Sequence, residues 1–215
     1  MRFAILIYRD AEPIDLATYG VLSMARRVAP EISIFTVAQT AGVVELANGL
    51  KVVADHGYDD APPADVLIVT GGAGWQQQVQ SEATLAYVRA ATRTAKVAAV
   101  CTGGMILAAA GVLDGLSATT KREVIGAEVS PLSLMRSRHP AIEAIDARLV
   151  DCGAVLTGGG VTLCIDMTLY LLERFLGPRV AAETARIIEY SAAYAANAAR
   201  LPTVVLAAQA GGPQP

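Results

Sequence analysis

The stretch Val97-Ala98-Ala99-Val100-Cys101-Thr102-Gly103-Gly104-Met105 decides the fold. A short, wholly apolar strand ends at a cysteine, and a helix starts at once. This pattern predicts a nucleophile elbow, a sharp strand-to-helix turn that lifts one reactive side chain above a sheet. A thiol at a helix N-terminus sits where the macrodipole favours the thiolate, the nucleophilic form. The small residues Gly103 and Gly104 allow a tight turn and close approach of a substrate. The competing reading is a buried cysteine that acts as a small hydrophobe.

Outward from the elbow, apolar strands alternate with helical patterns. Strands are predicted at Arg2 to Tyr8, Ile32 to Ala38, Val66 to Thr70 and Val155 to Thr157. Arg148-Leu149-Val150 forms a further strand across a turn at Cys152-Gly153, and residues flanking Asn48-Gly49 form a small hairpin. Helices are predicted over Pro13 to Val28, Ser81 to Arg93, Thr102 to Ala110, Thr162 to Leu176 and Arg179 to Tyr190. Continuous apolar strands between helices call for a parallel sheet covered on both faces. The expected organisation is a single domain over residues 1–206 and a flexible tail over 207–215, which ends Gly-Gly-Pro-Gln-Pro.

The totals restrict the function classes. The chain has 215 residues, enough for one sizeable core. Its net charge of −3, with no basic cluster, argues against a nucleic-acid partner. No apolar run is long enough to span a bilayer, so no membrane partner is expected. No basic region precedes an apolar stretch at the N-terminus, so no secretory signal is read. Three cysteines, Cys101, Cys152 and Cys164, show no metal spacing and fit free thiols in a reducing cytoplasm. No metal and no cofactor are expected. Hydrophobic residues make up 53% of the chain, which points to an apolar face shared between copies, a homo-oligomer.

Ligands of parallel α/β sheets bind outside the carboxyl ends of the strands. Four such ends are suggestive here: Glu12-Pro13-Ile14-Asp15, Thr70-Gly71-Gly72-Ala73-Gly74, Cys101 and Thr157-Gly158-Gly159-Gly160. The glycine turns match neither GxGxxG nor GxxxxGK[ST], so a nucleotide site is a weak reading. They are either plain tight turns or an oxyanion hole built from the amides of Gly72 and Thr102. Asp15 or Glu12 is the candidate acid/base partner of Cys101; in the competing readings Asp15 is a solvated first-turn carboxylate and Glu12 only caps the helix. His56 and His139 both lie in loops away from the elbow, so no Cys–His pair is expected.

Taken together, these segments resemble the ThiJ/PfpI superfamily, with its flavodoxin-like, class I glutamine amidotransferase-like fold. The resemblance rests on Ile14-Asp15-Leu16, Thr70 to Gly74, Val100 to Gly103, Ala109 to Gly115, Ala118-Thr119-Thr120 and Leu156 to Thr162. It runs from residue 1 to about Asn197. It implies an α/β three-layer sandwich with a mainly parallel central sheet. Within the superfamily the chain looks most like the branch of isocyanide hydratase and the amidase-like domains of AraC-type regulators, which carry Cys-Thr-Gly at the elbow and an aspartate after the first strand. By that resemblance Cys101 is the nucleophile, Asp15 bonds its thiol and shuttles protons, and the amides of Gly72 and Thr102 stabilise charge. One departure stands out. The branch reads Ala-Thr-Thr-His-Trp after the elbow helix, and this chain reads Ala118-Thr119-Thr120-Lys121-Arg122. Gly71, Trp75, Tyr19 and Gly159 are candidate pocket residues, against ordinary packing for Trp75 and Tyr19.

The expected function is a cysteine-dependent hydratase or hydrolase that acts on a small carbon–nitrogen compound, with isocyanide to N-substituted formamide as the specific form. A non-catalytic ligand sensor or cysteine-oxidation sensor is the alternative. A glyoxalase-like chemistry is weaker, because such relatives carry glutamate and often histidine at the site. The resemblance further implies a homodimer with a small-molecule substrate. Cys152 and Cys164 are read as structural.

Overall fold

The computed structural model describes residues 1–206. The expected flexible tail at 207–215 lies outside the described residues. Eleven strands and eight α-helices follow in the order β1 (Arg2–Leu6), α1 (Ala17–Ala25), β2 (Ser33–Val37), β3 (Gly42–Glu45), β4 (Lys51–Ala54), β5 (Val66–Val69), α2 (Trp75–Gln78), α3 (Glu82–Ala91), β6 (Lys96–Ala99), α4 (Gly103–Ala109), β7 (Ser117–Ala118), α5 (Pro131–Arg138), β8 (Glu143–Ala144), β9 (Leu149–Asp151), β10 (Val155–Gly158), α6 (Leu163–Leu176), α7 (Pro178–Ile187), α8 (Ser191–Arg200) and β11 (Thr203–Val205) among the described residues.

The main sheet has the order β11-β9-β10-β6-β5-β1-β2. The five strands from β10 to β2 run parallel, and β9 pairs antiparallel with β10. The turn at Cys152-Gly153 explains that reversal, because a short hairpin can only join antiparallel strands. Strands β5 and β10 are buried at every position, and β5 accordingly reads as an unbroken apolar run. Helices α1, α6 and α7 pack together on one face, and α3 and α4 cover β5 and β6 on the other. The result is the expected α/β three-layer sandwich.

Local chemistry sets the boundaries. Ser81 caps α3 by accepting the Thr84 N–H at 3.4 Å. Pro131 begins α5, with Ser130 as its cap. The predicted first helix divides in two: Pro13–Leu16 is a 3₁₀ turn capped by Glu12, and the α-helix begins only at Ala17. That tight turn directs Asp15 inward. The hairpin of β3 and β4 forms as expected, with Asn48 and Gly49 in a 3₁₀ turn at left-handed φ.

At the far end, the Arg148 guanidinium lies 3.2 Å from Asp166 and stacks on the Tyr194 ring. It also donates to Thr203 Oγ1, while Tyr190 and Asn197 donate to Asp166. This buried network ties α8 and β11 to α6. No helix among the described residues is long and apolar enough to cross a membrane.

Candidate active site

Because β1, β5, β6 and β10 are parallel neighbours, their carboxyl ends gather at one edge of the sheet. Cys101 follows β6 at φ 52°. A left-handed backbone at a non-glycine residue is strained, and here it forms the expected elbow. The elbow is pinned on both sides. Cys101 N–H donates to Gly159 O at 3.0 Å, and Thr120 Oγ1 donates to Cys101 O at 2.7 Å. Gly71 lies against the same turn: a Cβ there would stand 2.4 Å from Thr102 N and 2.8 Å from Cys101 Cβ. Only glycine permits that approach.

Asp15 is fully buried. Its Oδ2 accepts the Gly71 N–H at 2.6 Å, and its Oδ1 has no hydrogen-bond partner among the described residues. Burial raises its carboxyl to about 7, and Glu12 adds to the rise; the Gly71 amide and the Cys101 thiol offset only part of it. Burial, reinforced by Asp15, pushes the Cys101 thiol up to about 12. The amides of Val161 and Thr102 and the charge of Lys121 pull the other way. Against the expected thiolate, burial favours the protonated thiol, and the resting pair is a thiol beside a carboxyl that titrates near neutrality.

Cys101 opens onto a cleft of about 640 Å³. Its walls are Trp75 and Gln76 of α2, Val124, Glu128 and Val129 of the 121–130 segment, Pro131, Leu134 and Arg138 of α5, and Glu12, Gly72, Ala73, Thr102, Lys121 and Val161. The volume suits a small molecule.

The structure thus brings Cys101, Asp15, Thr102, Gly71, Gly72 and Trp75 together. It corrects three assignments. Tyr19 is 41% exposed on α1 and does not line the cleft. Gly159 lines a separate cavity of about 220 Å³, and its contribution to the elbow is its carbonyl. The Gly72 N–H is already donated to Thr102 Oγ1 at 2.8 Å, so it does not point at a developing oxyanion in this state. The amide that joins Thr102 beside the sulfur is that of Val161, which sits at φ 48°. A β-branched residue in that region is an outlier. Sequence reading missed it, since valine carries no signal for a left-handed turn; the Gly158-Gly159-Gly160 run before it was the available clue.

Neither histidine lines the cleft. His56 stacks edge-on against Phe35, and His139 follows α5. Cys164 is buried behind Asp15, with its thiol 3.5 Å from Ile14 O. Cys152 lies in the β9–β10 turn and donates to Ser117 O. Among the described residues no group of three or more His, Cys, Asp and Glu side chains could hold a metal ion.

The comparisons agree with this architecture. The DJ-1/PfpI family model matches residues 1–174. An isonitrile hydratase of Pseudomonas putida is 30% identical over 199 residues, which cover 91% of this chain and 79% of that protein. The HTH-type transcriptional regulator GbdR of Pseudomonas aeruginosa is 33% identical over 146 residues, 67% of this chain, but the match spans only 37% of the regulator. Among solved structures, a ThiJ/PfpI family protein from Pseudomonas syringae superposes with a TM-score of 0.76 at 25% identity, covering 88% of this chain and 75% of that one. Drosophila melanogaster DJ-1beta superposes with a TM-score of 0.73 at 18% identity, covering 88% and 98%, and shares the fold. The chain belongs to the DJ-1/PfpI family.

Proposed function

We propose that the protein is a cysteine-dependent hydratase or hydrolase of a small carbon–nitrogen compound, and specifically that it hydrates an isocyanide to an N-substituted formamide. The observation that carries this reading is the buried Asp15 carboxyl, with an unpartnered oxygen beside the Cys101 thiol and no histidine in attendance. Asp15 takes the thiol proton as Sγ attacks the terminal isocyanide carbon, then returns it to that carbon. The S–C and C–H bonds formed give a thioimidate. Water adds to the same carbon, and one of its protons goes to nitrogen. The S–C bond then breaks as the formamide carbonyl forms, and the remaining proton restores the thiol. A carboxyl near 7 suits this exchange, because it both accepts and donates at neutral pH. The amides of Thr102 and Val161 meet the charge that gathers on sulfur. The 30% identity to an isonitrile hydratase supports the same chemistry.

The test is formamide absorbance with an aryl isocyanide, on wild type and Cys101→Ala in parallel. Activity lost in the variant supports the mechanism; full activity in Cys101→Ala refutes it. An inactive wild type would direct attention to amides and then to the second reading, a non-catalytic ligand sensor in the same cleft. The match to a transcriptional regulator favours that alternative. Its oxidation-sensing form is disfavoured by burial, which holds the thiol protonated.

We further propose that the working form is a homodimer in a reducing, cytoplasmic setting, with its three cysteines free. Elution at monomer mass at micromolar concentration would refute the dimer.

A further inference from the structure

Lys121 stands where the cleft wall meets the elbow, at the point where the chain departs from its branch. The backbone around it is fixed: Thr120 Oγ1 donates to Cys101 O, and Lys121 O accepts the Leu132 N–H at 3.0 Å. Its stem lies over Gly160, where a Cβ would come within 2.7 Å of Lys121 Cγ. Gly160 precedes Val161, whose amide lies against the sulfur. The ammonium donates to the carbonyl of Glu123, and among the described residues no carboxylate lies within ion-pair distance of it. Its neighbour Arg122 is different, paired with both Glu123 and Asp146.

The other charges at the cleft are Glu12, Glu128 and Arg138, with Asp15 buried behind it. Glu12 accepts the Ile14 N–H and acts on Asp15 rather than on the thiol. Glu128 accepts the Ile125 N–H within its own loop. Of the charged residues lining the cleft, Lys121 is the one whose charge acts on Cys101. Once Asp15 has taken the thiol proton and become neutral, the sulfur has the amides of Thr102 and Val161 beside it and the charge of Lys121 on the wall of the same cleft.

We propose that Lys121 is the specificity determinant of this cleft: its ammonium, carried on the wall of the cleft onto which Cys101 opens, selects small substrates that carry a carboxylate within a few bonds of the reacting carbon. The apolar wall of Val124, Val129 and Leu134 receives the remainder of such a molecule. This rests on Cys101 being the nucleophile and on no particular reaction.

The test uses two probes that differ only in charge beside the same reacting carbon, iodoacetate and iodoacetamide. Alkylation rates at Cys101 are followed by mass spectrometry on wild type, K121Q, K121R and R122Q, with glutathione as the reference thiol. The expected iodoacetate-to-iodoacetamide ratio in wild type exceeds that of glutathione by roughly 3- to 10-fold, the span of a partly solvated opposite charge. K121Q brings it to the glutathione value, K121R keeps most of it, and R122Q leaves it unchanged. In wild type, 1 M NaCl collapses the preference without any substitution, because the screening length then falls to about 3 Å. A wild-type ratio equal to glutathione, or a K121Q ratio equal to wild type, overturns the proposal and leaves the nucleophile standing. Failure of both reagents to label Cys101 overturns the nucleophile as well.

Discussion

Replacing Asp15 with asparagine tests the central pair through stability rather than turnover. The side chain is fully buried, and its carboxyl is raised from 3.8 to about 7. For an acid raised in the folded state, the folded chain binds more protons than the unfolded chain between those two values. Stability therefore falls as pH rises through that window, by about 1.4 kcal/mol per unit for this group. The full penalty is about 4 kcal/mol above pH 7, and it is absent below pH 4. Asparagine keeps an acceptor for the Gly71 N–H and cannot ionise. The difference in unfolding free energy between Asp15→Asn and wild type should grow in favour of the variant by about 2–3 kcal/mol between pH 5 and pH 8. Urea unfolding of both proteins at the two pH values measures it, and taking the difference cancels the other titrating groups. Activity should vanish in the variant throughout. A difference that is the same at pH 5 and pH 8 would refute the claim that a buried, raised carboxyl underlies the site.

The elbow supplies a second test: Cys101→Gly and Cys101→Ala are both inactive, but the glycine variant unfolds about 1 kcal/mol later in urea, since φ 52° strains alanine and not glycine. Gly71→Ala drives a methyl group into the Thr102 backbone and costs activity together with about 1–3 kcal/mol of stability, read from the melting temperature. Asp166→Asn leaves the buried Arg148 guanidinium uncompensated and destabilises by about 3–5 kcal/mol in urea, whereas Arg148→Met combined with Asp166→Leu recovers most of the loss.

The parallel sheet was legible because Val66 to Val69 is a continuous apolar run between helical patterns, and few structures bury such a strand on both faces. Cys101 was legible because an apolar strand that breaks at Cys-Thr-Gly-Gly leaves little choice but a turn. The direction of the thiol's titration was not. It depends on how deeply the residue is covered, and that is set by loops distant in sequence. The role of Gly72 was hidden for a similar reason, since its amide is taken by the hydroxyl of Thr102, thirty positions later in the chain. The pieces α2, α5, α8, β7, β8 and β11 escaped prediction. α8 carries the run Ser-Ala-Ala-Tyr-Ala-Ala-Asn-Ala-Ala-Arg, whose alanines show no clear apolar stripe, and its place is fixed by tertiary bonds from Tyr190, Tyr194 and Asn197 to the Arg148–Asp166 pair. The sequence leaves Tyr19 open between pocket and packing, because an aromatic residue on a helix near the site carries no sign of which way it faces.

The cleft is made of two parts that are held in place in different ways. The floor of Cys101, Asp15 and the glycine turns is welded into the sheet edge, where each residue answers to several others. The segment from Lys121 to Ser130 contains no regular helix or strand; it is joined to the floor at the preceding Thr120, and the stem of Lys121 packs on Gly160. Such an arrangement lets one loop be exchanged while the reactive pair beneath it is left alone. A graft of this segment from a relative would transfer substrate preference as a unit, because only the wall changes while the pair beneath it keeps its geometry.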